Sequence, residues 1–437
     1  MLETVNHFVW GLPALVMILG VGIYLSIKTR FAQLRFLPKA LRKFWEMLLG
    51  KDQQGSFQAL CTALAATVGT GNIVGVAGAI SLGGPGSIFW MWVCGLMGMV
   101  TKYTEAVLAV TYREKGKAGP MYIIRQGLGG IWRWLACVYS IFGCVAAFGV
   151  GNATQINAVV QSAASAARDM GLEFTEGQAV LVAAVIGGLG MWCLLGGGKR
   201  VGKVASFLVP LASLAYLLLC LGALIGRWDH IMPAIAQIFL GAFCPKAVTG
   251  GLVGSTFVSL RVGASRGVFT NEAGMGTAAM AHGTANPKHP ADQGLMGIME
   301  VFLDTIVICT MTALVILTSG ASVSYGVDVG ATLTSKAFSM VYGPWVSTLL
   351  ALFLAIFAYA TILGWGFYGL CCVDYLLGPR SKRPFVFLMT LGGIAGVLLD
   401  TGPVWMLSET VNGLMALPNL LVLSLLSSLV VKVTRQY

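Results

Sequence analysis

Four groups of residues in this chain have the types and spacing to bind a small polar solute. The first is Ala65-Ala66-Thr67-Val68-Gly69-Thr70-Gly71-Asn72-Ile73-Val74-Gly75. Two glycines flank a threonine and an asparagine follows, all in the middle of an apolar run. Glycine weakens a helix, and asparagine is costly to place in hydrocarbon. Two readings fit: a patch where helices pack closely, or an unwound segment. Irregular backbone inside a bilayer persists only where it is buried in protein or lines a cavity. Freed carbonyls there suit a cation. Freed N–H groups, with the positive end of the following half-helix, suit a carboxylate.

The second group is Thr249-Gly250-Gly251-Leu252-Val253-Gly254-Ser255-Thr256, five apolar runs later. The third is Phe357-Ala358-Tyr359-Ala360-Thr361-Ile362-Leu363-Gly364-Trp365, where Thr361 and Trp365 share a helical face one turn apart. A hydroxyl beside carbonyls suits a hard cation such as sodium, and an indole suits the wall of a small apolar pocket. The alternative is a threonine bonded to its own helix and a tryptophan used for packing. The fourth is Glu300 and Asp304, spaced i, i+4 in an apolar run. Such residues rarely face lipid. They are expected to pair with Arg261 or Arg266 as a structural or gating network, or else to relay protons. Glu409, near the outer end of the last run, belongs to an outer gate or sits at the membrane interface.

Other chemistry is not encoded. His7, His230, His282 and His289 fall in loops or at the edges of apolar runs, which argues against a buried histidine relay. The ten cysteines show no C-x-x-C spacing and read as small packing residues. A phosphate-binding loop, zinc spacing and a nucleophile elbow are all missing from the sequence, which argues against an ATP-driven pump and against an enzyme.

The elements that must position these groups are membrane helices. The chain has 437 residues, is 57% hydrophobic and is only 10% charged, where soluble proteins carry about 25% charged residues. That composition excludes a soluble enzyme. The 57 glycines suit helices that pack closely or are interrupted. A spanning helix needs about 20 apolar residues. Eleven such runs lie near 8–27, 57–80, 86–110, 134–163, 178–196, 204–226, 240–260, 295–318, 345–377, 384–400 and 404–431. The first lacks preceding basic residues and a cleavage site, so it reads as a retained helix rather than a signal peptide.

The net charge of +11 is a topology signal rather than a nucleic-acid footprint. Of the 28 Lys and Arg residues, all but Arg168, Arg227, Lys246 and Lys336 fall on one side of the expected membrane. Basic loops face the cytoplasm. The N-terminus is then outside and the C-terminus inside, as an odd number of spans requires. Two parts are expected. Residues 1–54 hold an extra helix and a basic amphipathic segment lying on the membrane. Residues 55–437 form the core. With the first span set aside, the interrupted runs at 57–80 and 240–260 open two five-helix halves, 55–226 and 227–437, of opposite topology. Paired interrupted helices in inverted halves are the pointer to a secondary transporter's central site.

Taken together, the motifs resemble the alanine/glycine:cation symporter family, also called sodium:alanine symporters. The resemblance covers about residues 55–425. Its most specific piece is Gly83-Gly84-Pro85-Gly86-Ser87-Ile88-Phe89-Trp90-Met91-Trp92-Val93. Others are GTGNIVGVA at 69–77, GPMYIIRQGLG at 119–129, NEAGMGTAAMAH at 271–282, DT at 304–305, ATILGW at 360–365 and LMALPN at 414–419. The resemblance implies an all-α, LeuT-type fold: one extra helix, then a five-plus-five inverted repeat, about eleven spans in all. It also implies sodium-coupled uptake of small neutral amino acids such as alanine and glycine. Proton coupling, or glutamine or serine as cargo, are alternatives within the fold; an ion channel is a more distant one. Gly69, Thr70, Gly71 and Asn72 would bind the amino acid with Gln155, Gly250 and Gly251, and Trp365 would close the pocket. Sodium, the coupling ion, would sit between carbonyls near Ala65 and Val68 and the hydroxyl of Thr361. No nucleic acid and no obligate protein partner is implied; the setting is a cell membrane. Three departures stand out: Ala360 where members usually carry Ser or Thr, Leu370 where a Glu commonly follows Tyr368-Gly369, and a shorter loop before Gly119.

Overall fold

The computed structural model describes residues 11–51, 55–169, 171–253, 255–327, 329–398 and 401–437. The chain is all helical. Helix α1 (Leu12–Lys28) ends in a tight turn where Arg30 and Phe31 take left-handed φ values of 57° and 53°. A short turn follows at Ala32–Arg35, then the amphipathic α2 (Leu37–Leu48). The second apolar run is two helices, α3 (Ser56–Thr67) and α4 (Val74–Gly83). Next come α5 (Gly86–Thr111), α6 (Arg133–Phe148) and α7 (Thr154–Asp169), with a π-helical stretch at Gly149–Ala153 joining the last two.

The remainder continues as α8 (Glu176–Leu195), α9 (Gly197–Ile225), α10 (Ile231–Phe243), α11 (Thr256–Asn271) and α12 (Thr277–His282). Helices α13 (Pro290–Val301) and α14 (Thr310–Thr318) flank another π-helical stretch at Phe302–Cys309. Helices α15 (Gly330–Tyr342), α16 (Val346–Leu377), α17 (Lys382–Ala395), α18 (Thr401–Leu425) and α19 (Ser427–Arg435) complete the chain.

Among the described residues, six helices are long and apolar enough to cross a bilayer, and the bent pair Thr410–Leu425 and Ser427–Arg435 adds a seventh. Three shorter apolar helices, including the two halves of the second run, lie below that length. The outer surface is apolar in the manner a bilayer requires. On α9, Phe207, Leu211, Leu214, Leu218, Leu221 and Ile225 are all exposed. Their spacing is one helical stripe, and water would penalise it.

Glycine lets the central helices touch backbone to backbone. A Cβ at Gly297 of α13 would lie 2.6 Å from the Lys102 carbonyl oxygen of α5, and one at Gly86 would lie 2.1 Å from the Gly241 carbonyl carbon of α10. Close approach of this kind supplies the packing that holds helices together in lipid.

One expected span is corrected. Residues 240–260 are not a helix. They comprise the end of α10, a short turn at Pro245–Thr249, a loop, and the start of α11, whose first turn is capped by Ser255 accepting from the Val258 N–H. Gly250 and Gly251 are exposed, with φ of 62° and 89°. They reverse the chain at the edge of the bundle. The second interrupted helix is instead α11–α12, broken at Glu272, Gly274 and Gly276, whose φ values are 54°, 94° and 81°. Arg261 and Arg266 therefore belong to a helix and not to a basic loop. Arg266 lines the same cavity as Arg168.

Candidate functional site

The first interruption forms as the sequence suggests. Helix α3 ends at Thr67, Val68 and Gly69 are extended, and Thr70–Asn72 make one 3-10 turn before α4. Asn72, fully buried, organises the break. Its Oδ1 accepts from the Gly69 N–H at 2.9 Å. Its Nδ2 donates to Asp304 Oδ1 at 2.6 Å and to the Asp304 carbonyl at 3.2 Å. Because the Gly69 N–H turns to Asn72, the Ala65 carbonyl loses the donor an unbroken helix would give it. The Asn72 N–H goes to Gly69, so the Val68 carbonyl loses its donor as well.

Helix α16 closes against this break. A Cβ at Gly69 would lie 2.6 Å from Thr361 Oγ1, and one at Gly364 would lie 2.7 Å from the Ala66 nitrogen. The Thr361 hydroxyl donates to the Phe357 carbonyl at 3.0 Å, which leaves its lone pairs facing Gly69. Two carbonyls without their helical donors thus lie in the break, and one hydroxyl abuts it at Gly69. That donor set is all oxygen and fits a hard cation.

The two interruptions lie side by side. A Cβ at Gly71 would meet Thr270, the penultimate residue of α11, at 3.6 Å. Gln155, in the first turn of α7, reaches over the first break: its Oε1 accepts from Thr70 Oγ1 at 3.3 Å, and its Nε2 donates to the Val150 carbonyl at 3.1 Å. Trp365 is buried, its Cβ pressed on Gly151, and its indole Nε1 donates to Glu272 Oε1 at 2.8 Å. Ala65, Val68, Gly69, Thr70, Gly71, Asn72, Gln155, Thr361 and Trp365 are therefore neighbours. Gly250 and Gly251 are not part of this group.

The buried charges are arranged differently from the expectation. Glu300 pairs with Lys102 Nζ at 2.8 Å and with His282 Nε2 at 3.0 Å, not with Arg261 or Arg266. His282 is fully buried, against the expectation that all histidines lie at edges, and its Nδ1 meets Gln293 Nε2 at 2.8 Å. Asp304 holds Asn72 and accepts from Thr305 Oγ1 at 2.8 Å; Thr305 in turn accepts from Asn271 at 3.1 Å. Asp304 thereby joins the two interruptions through side chains. The side chain of Glu409 lies outside the described residues.

Three further residues escaped the sequence reading. Glu105 is buried in α5, and its Oε1 accepts from the N–H groups of Gly274 and Gly276 and from Asn419 Nδ2, at 2.8–3.1 Å. It holds the second break open by taking the donors that the broken helix leaves. Asn419 also donates to the Gly274 carbonyl at 2.8 Å. Glu272 bonds Trp365 through one oxygen and Thr277 Oγ1, at 2.7 Å, through the other. The signals were present: Lys102 and Glu105 are charges inside an apolar run, and Asn271-Glu272-Ala273-Gly274-Met275-Gly276 repeats the glycine-and-asparagine composition of the first break.

Two cavities approach the site from opposite ends. One of about 430 Å³ runs from Arg168, Ser335 and Ser347 down to Thr70 and Gly71. Another of about 510 Å³ opens among Lys117, Lys199, Lys382 and Arg383 and stops at Thr62 and Phe367.

The sequence model of the sodium:alanine symporter family matches residues 1–437. The sodium/alanine symporter AgcS of Methanococcus maripaludis is 41% identical, over 100% of this chain and 96% of that protein. The probable sodium/glutamine symporter GlnT of Bacillus subtilis is 33% identical, over 99% of this chain and 89% of that protein. The crystal structure of MhsT in complex with L-phenylalanine superposes with a TM-score of 0.60 at 13% identity, covering 87% of this chain and 97% of that one. At that identity the likeness concerns the fold.

Proposed function

Because this chain belongs to the sodium:alanine symporter family, we propose that it imports a small neutral amino acid, alanine or glycine, together with sodium by alternating access. The observation that carries the reading is the junction of Gly69 with Thr361, beside which the second break passes at Thr270. The N–H groups of Thr70 and Gly71, at the start of a helical segment, receive the substrate carboxylate, with Asn72 holding the turn in shape. Carbonyls of the Glu272–Gly276 break and the Gln155 amide receive its ammonium, and Trp365 limits the side chain. Sodium takes the Ala65 and Val68 carbonyls and the Thr361 hydroxyl. It orders the same backbone that the substrate needs, so each strengthens the binding of the other. Glu300 and Asp304 serve as a buried network that steadies the helices around the breaks.

The two cavities, ending on either side of the first break, support alternating access. The basic end is the cytoplasmic one in this reading, with residues 1–54 as an added helix and surface segment and 55–437 as a LeuT-type inverted repeat. Uptake of labelled alanine into proteoliposomes tests it. Accumulation should follow an imposed inward sodium gradient and collapse when the gradient is removed; uptake indifferent to sodium sinks the coupling assignment. Likeness to a probable sodium/glutamine symporter favours glutamine as a second cargo. Competition of glutamine against labelled alanine separates the two.

A further inference from the structure

At the basic end of the bundle, α1, the Ala32–Arg35 turn and α19 enclose a third cavity of about 300 Å³, away from the site above. Lys28, Arg30, Arg35 and Arg435 line it, with Thr434 and Tyr437, and no Asp or Glu side chain does. Among the described residues none of these four cations makes an ion pair. Two of them rest on aromatic faces instead, Lys28 over Tyr24 at 5.4 Å and Arg35 over Phe36 at 4.7 Å. The left-handed conformation of Arg30 and Phe31, uncommon for such residues, turns the chain back so that Arg30 and Arg35 face α19. Tyr24 fixes the other wall by bonding Ser427 at 3.0 Å.

Four like charges around one small cavity repel one another, and an anion seated among them relieves that repulsion. The surface beside it identifies the anion's source. On α1, Val16, Ile23 and Ile27 are 50–64% exposed and form one stripe that ends beside Lys28; Phe31 and Leu34 extend it. That stripe offers a greasy track for acyl chains directly below a pocket for phosphate.

We propose that this cavity is a binding site for the phosphodiester head group of an anionic phospholipid, whose chains lie along α1. The bound lipid tethers the extra first helix to the last helix of the core. Arginine suits this task because its planar fork meets phosphate oxygens in pairs.

The test uses the full-length protein in detergent, titrated with phosphatidylglycerol while thermal unfolding is followed. A saturable rise in the midpoint is expected, with apparent affinity falling about fivefold for each of Arg30→Gln and Arg35→Gln. Arg42→Gln, on α2 with a side chain 83% exposed and paired to Glu46, is expected to leave that affinity unchanged. An equal loss in Arg42→Gln would mean diffuse surface charge and overturn the pocket. An equal midpoint shift from inorganic phosphate would overturn the lipid assignment in favour of a free-anion site. Should the arginine variants fail to fold, hydrogen exchange of residues 26–36 in wild-type protein decides. Protection in phosphatidylcholine nanodiscs should rise when phosphatidylglycerol is added, and no difference overturns the proposal.

Discussion

Trp365 and Glu272 are joined by a hydrogen bond of 2.8 Å, from an indole on α16 to a carboxylate in the break between α11 and α12. The indole, the wall of the proposed pocket, is thereby pinned to the half-helix that follows the break, since the other oxygen of Glu272 holds Thr277. A Glu272→Gln protein keeps an acceptor for the indole. It is expected to retain uptake of alanine. Glu272→Ala frees the indole and leaves a buried N–H unpaired, at a cost of about 1–3 kcal/mol. Competition by a panel of larger amino acids should then strengthen relative to alanine. An unaltered panel would show that Glu272 does not position Trp365.

The junction of the first break with α16 predicts the behaviour of Thr361. Thr361→Ser preserves the hydroxyl and should preserve sodium dependence. Thr361→Ala removes one of three oxygen donors, and the sodium concentration for half-maximal uptake should rise by about tenfold, which corresponds to about 1.4 kcal/mol. Sodium titrations of alanine uptake measure both.

Glycine at 69 is required by contact rather than by backbone angle. In Gly69→Ala the new Cβ meets Thr361 Oγ1 at 2.6 Å, inside contact distance. Loss of most uptake is expected, with the protein still folded. Gly75, in α4, has nothing within 4 Å of its Cβ position. Gly75→Ala should leave uptake near wild type, and helix propensity favours it by up to about 1 kcal/mol. Initial rates normalised to protein in the membrane provide the comparison.

The ion pair of Lys102 with Glu300 is fully buried. Lys102→Met strands the carboxylate, and a loss of about 3–5 kcal/mol is expected. Lys102→Met combined with Glu300→Leu removes both charges and should recover a large part of it. Thermal unfolding in detergent distinguishes the two. A double variant as unstable as the single one would mean that His282 and the surrounding packing, and not the stranded charge, set the cost.

How much of this was legible in the sequence depends on what hides a break. The first interruption was legible as one of two readings, because Gly69, Gly71 and Asn72 stand in an otherwise apolar run; glycine there also suits close helix packing, and the buried Asn72 side chain is what decides for the break. The second was misplaced for a physical reason. Arg261 and Arg266 lower the apolar character of α11 enough for it to read as a loop, yet Arg266 faces a cavity and not lipid. Gly250 and Gly251 carried the opposite error. A glycine pair marks positive φ equally well in a turn at the bundle edge and in a break at its centre, and only the neighbours tell them apart. Two of the three partners of Glu105 were illegible, because they are backbone N–H groups 169 and 171 residues away. Side-chain patterns do not encode such a pairing.

The backbone contact of Gly297 with Lys102 has a mechanical consequence. At that point α5 and α13 have no side chains between them to act as a bearing, and an ion pair crosses the same seam. Sliding one helix along the other would force carbonyl oxygen into Cα and strand two charges at once, so the pair is a weld and not a shear plane. Motion between the two cavities is therefore not expected to be taken up at this seam. It is taken up where the backbone is already unwound, at Gly69–Asn72 and Glu272–Gly276. In the proposed transport cycle, the two breaks assigned to the solute would also be the two hinges about which the path around it opens.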